Sequence, residues 1–76
     1  MKTEVIFLER KHRDDEKYIF LDLLDNGEYQ VRIGSSKAVD QFTFDENETV
    51  MSLEEFLAGN DKYAEKVDEL KIKLRV

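Results

Sequence analysis

Two short stretches of this chain carry residue types that could perform catalysis or bind phosphate, and neither forms a complete motif. His12 is the only histidine and lies between the cations Lys11 and Arg13. These cations disfavour its protonation, and no carboxylate is placed by the sequence to orient it as a general base. The segment Gly34-Ser35-Ser36-Lys37 lacks the first glycine and the spacing of a Walker A phosphate loop. We therefore interpret both stretches as turns.

Acidic residues are more abundant, but their spacing does not predict a metal site or a catalytic pair. Asp45-Glu46-Asn47-Glu48-Thr49 alternates oxygen ligands as a calcium loop does. An EF-hand would need glycine where Val50 stands and glutamate where Phe56 stands, so the motif fails twice. Glu54 and Glu55 are adjacent, and adjacent side chains on a helix point about 100° apart. The sequence predicts no catalytic, cofactor-binding or metal-binding residue, and we expect a protein that is not an enzyme.

Length and composition indicate one small domain, residues 1–76, close to the lower size limit for a stable core. The chain has no cysteine, which excludes disulfides and thiolate metal sites. Its first residues, Met1-Lys2-Thr3-Glu4, lead into a strand-like segment without the apolar core of a signal peptide. No apolar run approaches the roughly 20 residues that span a bilayer. We expect a cytoplasmic protein without a cofactor or a membrane partner.

The N-terminal half predicts three strands. Residues 3–9 are rich in β-branched and aromatic types and predict the first. The charged block 10–17 is interpreted as an exposed turn. Residues 18–24 and 28–33 follow, joined by Asp25-Asn26-Gly27, which is the strongest local signal in the chain and predicts a hairpin.

The length of that hairpin loop decides which side chains share a face, because a one-residue slip turns every side chain over. A two-residue Asn26-Gly27 loop would bring Asp22 among the apolar residues. A three-residue loop with Gly27 in the left-handed conformation separates them, and we favour it. This register pairs Leu23 with Tyr29, Leu21 with Val31 and Ile19 with Ile33. It leaves on the opposite face Asp22, Glu28, Gln30 and Arg32.

The same register places Tyr18, Phe20 and Leu24 on the polar face, where two aromatic rings and a leucine need a cover. One interpretation is that a helix or the N-terminal strand lies over them, as small domains bury aromatic residues. The other is an exposed apolar stripe that binds a partner or a second copy of the chain.

A fourth strand and a first helix are predicted after the hairpin. Residues 39–44 carry Phe42 and Phe44 on one side and indicate a strand. Ser52-Leu53-Glu54-Glu55 matches a capping box. It predicts a helix over residues 52–58, with Gly59 as its C-cap.

The C-terminal segment predicts a second helix over residues 61–70, capped by Asn60 or Asp61. From about residue 71 the apolar residues alternate with Lys71, Lys73 and Arg75, and we expect a final strand, with a longer terminal helix as the rival. The predicted fold is α+β, in the order ββββααβ. Its antiparallel sheet of four to five strands has two short helices packed on one face.

The negative charge is concentrated in one stretch. Between Asp40 and Glu69 the chain has ten acids and two lysines, a net charge of −8 within a total of −6. We expect these acids to dock on a basic protein, for instance one that handles nucleic acid, since carboxylates can imitate phosphates. Small acidic inhibitors carried by phages and mobile elements work in this way, and by this analogy we expect the chain to be an inhibitor or adaptor of that kind. The predicted protein-binding residues are Asp45, Glu46, Glu48, Glu54, Glu55, Asp61, Glu65, Asp68 and Glu69.

Three alternatives stay open. The acids could serve solubility alone. The chain could be a structural module that forms a homodimer through Tyr18, Phe20 and Leu24 or through an edge strand. Direct nucleic-acid binding is disfavoured by the net charge of −6. It would use a cationic terminal strand, with Lys71, Lys73 and Arg75 beside Arg32.

Overall fold

A four-stranded antiparallel meander is the frame of the molecule in the computed structural model, which describes residues 1–12, 15–37 and 48–76. The strands lie side by side in chain order. They are β1 (Lys2–His12), β2 (Asp15–Leu23), β3 (Tyr29–Lys37) and β4 (Thr49–Ser52). The strand predicted at residues 39–44 lies outside the described residues, and the described fourth strand is the short segment directly before the first helix.

The helices follow the sheet and pack on one of its faces, which confirms the predicted α+β class. They are α1 (Leu53–Gly59), a 3-10 turn (Asp61–Tyr63) and α2 (Ala64–Leu74). Helix α1 contacts β3 and β4, and α2 contacts β1 and β2. The two helices therefore cover the whole width of the sheet on that side.

The hairpin between β2 and β3 has the predicted three-residue loop. Gly27 adopts φ +86°, and its amide donates to the Leu24 carbonyl at 2.9 Å, while the Leu24 amide donates to the Glu28 carbonyl at 2.8 Å. The predicted register is confirmed over the pairs Leu23–Tyr29, Leu21–Val31 and Ile19–Ile33. The turn therefore sends the apolar alternate residues of both strands toward the helices.

The core lies between this face of the sheet and the two helices. Leu21 and Val31 from the sheet are fully buried, as are Phe56 of α1 and Val67 of α2. A bulge in β1 adds Ile6, which has no pair in β2 because Val5 pairs with Phe20 and Phe7 with Ile19. The extra residue bends the edge strand and supplies one more buried side chain.

The strands are longer than predicted at two places. The charged block 10–17 was expected to be a turn, but β1 runs to His12 and β2 starts at Asp15. Arg10 and Glu16 face each other there as a cross-strand ion pair, and opposite charges support such pairing. The turn expected at residues 34–37 is also wrong, because β3 continues to Lys37.

The ends of α1 differ in how well local rules predict them. The Glu55 amide donates to the Ser52 hydroxyl at 3.2 Å, which confirms the predicted N-cap. At the other end Gly59 is still helical and Asn60 is the C-cap. The Asn60 side chain donates to the Phe56 carbonyl at 3.0 Å. It therefore closes α1 instead of capping the next helix.

The predicted terminal strand is wrong, because residues through Leu74 belong to α2. The helix buries Leu74 beside Leu70, whereas Ile72 is left 71% exposed. A helix places positions 67, 70 and 74 on one stripe. Burial of that stripe against the sheet outweighs the strict alternation that favoured a strand.

The two glycines at element ends offer a matched test of the hairpin. We expect Gly27→Ala to lower the free energy of unfolding by about 1 kcal/mol, because an alanine is strained at positive φ. Gly59→Ala lies in a helix with nothing within 4 Å of the added methyl group and should be neutral or raise stability by about 0.5 kcal/mol. Urea unfolding measures both, and an equal loss in the two variants would contradict the role given to Gly27.

Candidate functional site

The face of the sheet that points away from the helices, here called the open face, carries its side chains in cross-strand rows. The polar row consists of Thr3, Asp22, Gln30 and Ser52. The apolar row consists of Val5, Phe20, Arg32 and Val50. The aromatic row consists of Leu8, Tyr18 and Gly34. No described helix covers these rows, since α1 and α2 both pack on the other side.

Asp22 is the centre of the polar row and is the one buried charged residue among the described residues, with 0% exposure. It accepts the Thr3 hydroxyl at 2.6 Å and the Gln30 amide at 2.8 Å. The Arg32 guanidinium donates to both carboxylate oxygens, through Nε at 2.7 Å and Nη2 at 3.0 Å. This bidentate pair links β1, β2 and β3 through one carboxylate.

The protonation state of Asp22 follows from these partners. Burial alone would raise the pKa of its carboxyl group, but the hydrogen bonds from Arg32, Thr3 and Gln30 and the positive charge of Arg32 leave the pKa below its ordinary value of 3.8. The hydrogen bond to Asp22 in turn raises the pKa of Arg32. Asp22 is therefore an ionised structural carboxylate and a poor general base at neutral pH.

The apolar and aromatic rows are joined to this network by stacking. The Arg32 guanidinium lies 5.2 Å from the centre of the Phe20 ring, and Phe20 stacks on Tyr18 with centroids 4.6 Å apart and planes 20° apart. The Tyr18 hydroxyl donates to Glu48, which also lies 3.9 Å from Arg32 Nη1. The stacked rings are therefore held at both ends by charged groups, Phe20 by Arg32 and Tyr18 by Glu48.

Tyr18 also explains why a glycine occupies position 34 in the middle of β3. The two residues pair across the strands, and a Cβ at Gly34 would overlap the Tyr18 hydroxyl and ring. The tyrosine ring lies over the backbone that the glycine exposes, as aromatic residues do over glycine in sheets.

The open face also exposes aliphatic side chains beside these rings. Leu8 is 55% exposed, Val50 54% and Val5 42%. Met1 adds a fourth, because its sulfur lies 4.0 Å from the Gln30 amide. A solvated face of an antiparallel sheet ordinarily alternates to polar residues. This face departs from that pattern in two adjacent rows.

The apolar contact predicted for Tyr18, Phe20 and Leu24 is only partly one surface. Tyr18 and Phe20 are half-buried and stacked on each other on the open face, where Phe20 also contacts Arg32. Leu24 lies after β2 at the start of the hairpin loop, beyond the Asp22 row. Of the described elements, α1 and α2 pack on the other side of the sheet and β1 pairs beside β2, so none of the three lies over the two rings.

The predicted acidic surface is divided by the fold. Asp45 and Glu46 lie outside the described residues. Glu48 belongs to the open face through Arg32 and Tyr18. The remaining six acids, here called the helix-layer acids, are exposed on α1, the 3-10 turn and α2. They are Glu54, Glu55, Asp61, Glu65, Asp68 and Glu69.

Several cations of the same layer, unlike these acids, contact tyrosine side chains. Arg75 donates to the Tyr29 hydroxyl at 2.6 Å and to the Gly27 carbonyl at 3.1 Å, and Lys71 lies 5.4 Å from the centre of the Tyr29 ring. Lys62 lies 5.1 Å from the centre of the Tyr63 ring. Among the described residues none of the six helix-layer acids takes part in an ion pair.

The four cations named for the disfavoured nucleic-acid alternative lie apart in the structure. Lys71 and Arg75 contact Tyr29 at the C-terminal end of α2, and Lys73 lies on the exposed part of the same helix. Arg32 lies on the opposite side of the sheet and is bound to Asp22. The four cations therefore do not share a face, because the segment that was to align them is a helix.

The described part of the chain was also compared with the requirements of a metal site, a membrane span and an acid–base site. No group of three or more His, Asp or Glu side chains there could hold a metal ion, and none of its helices is long and apolar enough to span a membrane. A groove of about 370 Å³ beside Phe7, Ile33 and Tyr63 has Lys17 as the only charged residue among its described lining. That lining provides no acid–base pair.

Comparison with protein-family models, with curated proteins and with solved structures gave no match for this chain.

Sequence reasoning found part of the open face but did not predict that Asp22 is buried at its centre. It placed Asp22, Gln30 and Arg32 on one face through the hairpin loop. It missed Thr3, because no turn signal around residue 13 fixes the pairing of β1 with β2. The signal that could have pointed to Asp22 is its position between Leu21 and Leu23, where a strand carries one acid among apolar residues.

Replacing Asp22 tests the network. We expect Asp22→Asn to lower the free energy of unfolding by about 2–4 kcal/mol at pH 7, because it leaves Arg32 without its buried partner. Asp25→Asn is the matched control, since Asp25 is 95% exposed and pairs only with the N-terminal amine, and it should have little effect.

The pH dependence gives a second readout of the same pair. Because folding lowers the pKa of Asp22, its ionised form stabilises the native state above pH 3.8, and this contribution disappears as the pH falls through the lower native pKa. The stability difference between wild type and Asp22→Asn should therefore shrink on acidification below about pH 4. A difference that is constant from pH 7 to pH 2 would contradict the assignment.

Proposed function

We propose that this protein is a non-enzymatic protein-interaction module that docks on a basic protein through its helix-layer acids. The observation that supports the proposal is that all six carboxylates are exposed and none is engaged in an ion pair among the described residues. A carboxylate without an intramolecular partner keeps its charge available for a partner of opposite sign.

The position of the charges along α2 favours one part of that layer. Glu65, Asp68 and Glu69 precede the cations Lys71 and Lys73, in the sense that the helix dipole favours. Over residues 53–76 six acids stand against five cations, so the layer as a whole is nearly neutral. The docking surface is therefore the part of the layer from Glu54 to Glu69, which carries all six acids against Lys62 and Lys66, while the cations from Lys71 onward lie outside it.

The class of partner follows from this geometry. Carboxylates on successive helical turns form a row of negative charges, which a protein groove that normally holds phosphates would attract. An inhibitor or adaptor of such a basic protein is the function that these residues support best. Attraction of this kind raises the association rate and is screened by salt.

Affinity purification from the native host tests the proposal. The wild-type protein is immobilised, and proteins that it retains are identified by mass spectrometry at about 50 mM and about 500 mM salt, which shortens the screening length several-fold. We expect a basic protein that is retained at low salt and released at high salt.

A triple variant locates the contact. Glu65→Gln/Asp68→Asn/Glu69→Gln removes three charges from α2 and should weaken binding of the retained protein by about tenfold or more. The control removes three charges outside the helix layer, by Glu4→Gln, Asp25→Asn and Glu28→Gln, and should bind nearly as wild type does. The proposal would be contradicted if the partner protein were retained equally at both salt concentrations. It would also be contradicted if both triple variants lost the same amount of binding.

A further inference from the structure

We propose that the open face is the interface between two copies of this chain, which pack sheet against sheet with their helices outside. The proposal does not depend on the helix-layer acids, since the two surfaces lie on opposite sides of the sheet. It rests on exposed apolar side chains, on polar groups that are already satisfied, and on the way the rows of the face complement themselves.

The apolar content of the open face is the first observation. Leu8, Val50 and Val5 are 42–55% exposed and lie in two adjacent rows. The rings of Phe20 and Tyr18 lie between them in the sheet. Contiguous apolar side chains of this kind on a small domain mark an interaction site, and aromatic residues are enriched at such sites.

The polar residues at the centre of the same face do not oppose its dehydration. Asp22 accepts four hydrogen bonds from Thr3, Gln30 and Arg32, and no buried side-chain N or O among the described residues lacks a partner. A polar group that already has its partners can be covered without losing hydrogen bonds to water. An apolar surface could therefore cover this face without breaking hydrogen bonds at its centre. The centre also has no unpaired charge that would bind a charged ligand.

The apolar row is complementary to itself. A twofold axis parallel to the strands and between β2 and β3 would bring β1 of one copy over β4 of the other, and β2 over β3. Val5 would then face Val50 of the second copy, and Phe20 would face Arg32 of the second copy. The ring–guanidinium contact that exists within the chain would be repeated between chains, and each half of the interface would be the same, as a twofold dimer requires.

The electrostatics also allow a second copy. Arg32 is paired within the chain with Asp22 and Glu48, and Arg10 with Glu16. The exposed Glu28 lies at the hairpin end of the face, outside the apolar and aromatic rows. The helix-layer acids lie on the opposite side of the sheet, so two chains of net charge −6 could meet here with these acids kept apart. Two sheets packed in this way lie about 10 Å apart with strands rotated by roughly 30°.

The size of the face predicts a weak dimer. With strands about 4.8 Å apart and a rise of about 3.3 Å per residue, three strands over eight residues together with the four-residue β4 cover a footprint of about 440 Å². A standard interface buries about 800 Å² on each partner, and weaker complexes bury less. We therefore expect dissociation in the micromolar to millimolar range and a dimer that carries helix-layer acids on both outer surfaces.

Sedimentation or light scattering over a concentration series tests the proposal. From about 10 µM to about 1 mM, the range in which an interface of this size dissociates, the mass of the wild type should rise from 9.0 kDa toward twice that value. A mass that stays at the monomer value up to 1 mM would overturn the proposal.

Two variants locate the interface. Val5→Thr/Leu8→Gln/Val50→Thr keeps the net charge and the strand propensity at positions 5 and 50 and changes only exposed side chains. It should weaken dimerisation by about tenfold or more. Ile72→Gln removes an equally exposed aliphatic side chain from the outer side of α2 and should dimerise as wild type does.

Three further results would support or overturn the proposed interface. Unchanged dimerisation of the triple variant, with circular dichroism showing that it is folded, would place the contact elsewhere, for instance at the edge of β1, and overturn the proposal. So would loss of the dimer in Ile72→Gln. If the triple variant does not fold, concentration-dependent NMR shifts of the wild type decide, since Leu8 and Val50 should move while Ile72 stays still, and the reverse would overturn it.

Discussion

The register of the β2–β3 hairpin is the constraint on which the rest of this structure depends. Gly27 at φ +86° closes a three-residue loop, and every side chain of both strands takes its face from that loop. Leu21 and Val31 thereby reach the helices, and Asp22 and Arg32 reach the opposite side. A slip of one residue would bury a carboxylate among aliphatic side chains and expose the core of the sheet.

The same constraint creates the unusual feature of the open face. Asp22 is buried there because Thr3, Gln30 and Arg32 close around it, and the guanidinium then carries Phe20 on its face. A buried ion pair is weak evidence for stability but restricts the arrangement of its neighbours. In this molecule it keeps apolar side chains and satisfied polar groups in fixed rows, which is the arrangement an interface needs.

The sequence predicts those parts of the molecule in which local chemistry and burial agree. The loop at Gly27 and the N-cap at Ser52 are of this kind, because turn and capping rules act over a few residues. The strand predicted for the terminal segment was wrong, because the same residues show both strict alternation and a helical stripe. Only the packing of Leu74 against the sheet decides between strand and helix. The pairing of Thr3 with Asp22 was out of reach, since the register of β1 is set by tertiary contacts and a bulge.

The central claim is that the open face is organised by an ionised Asp22 held by Arg32. An NMR titration of the Asp22 carboxyl carbon in the wild-type protein tests it most directly, because protonation of this group changes the chemical shift of that carbon. The account predicts a pKa below 3.8, since the hydrogen bonds and the charge of Arg32 outweigh burial. A pKa at or above that value would show that Asp22 is not held as an ionised group, and would contradict the account.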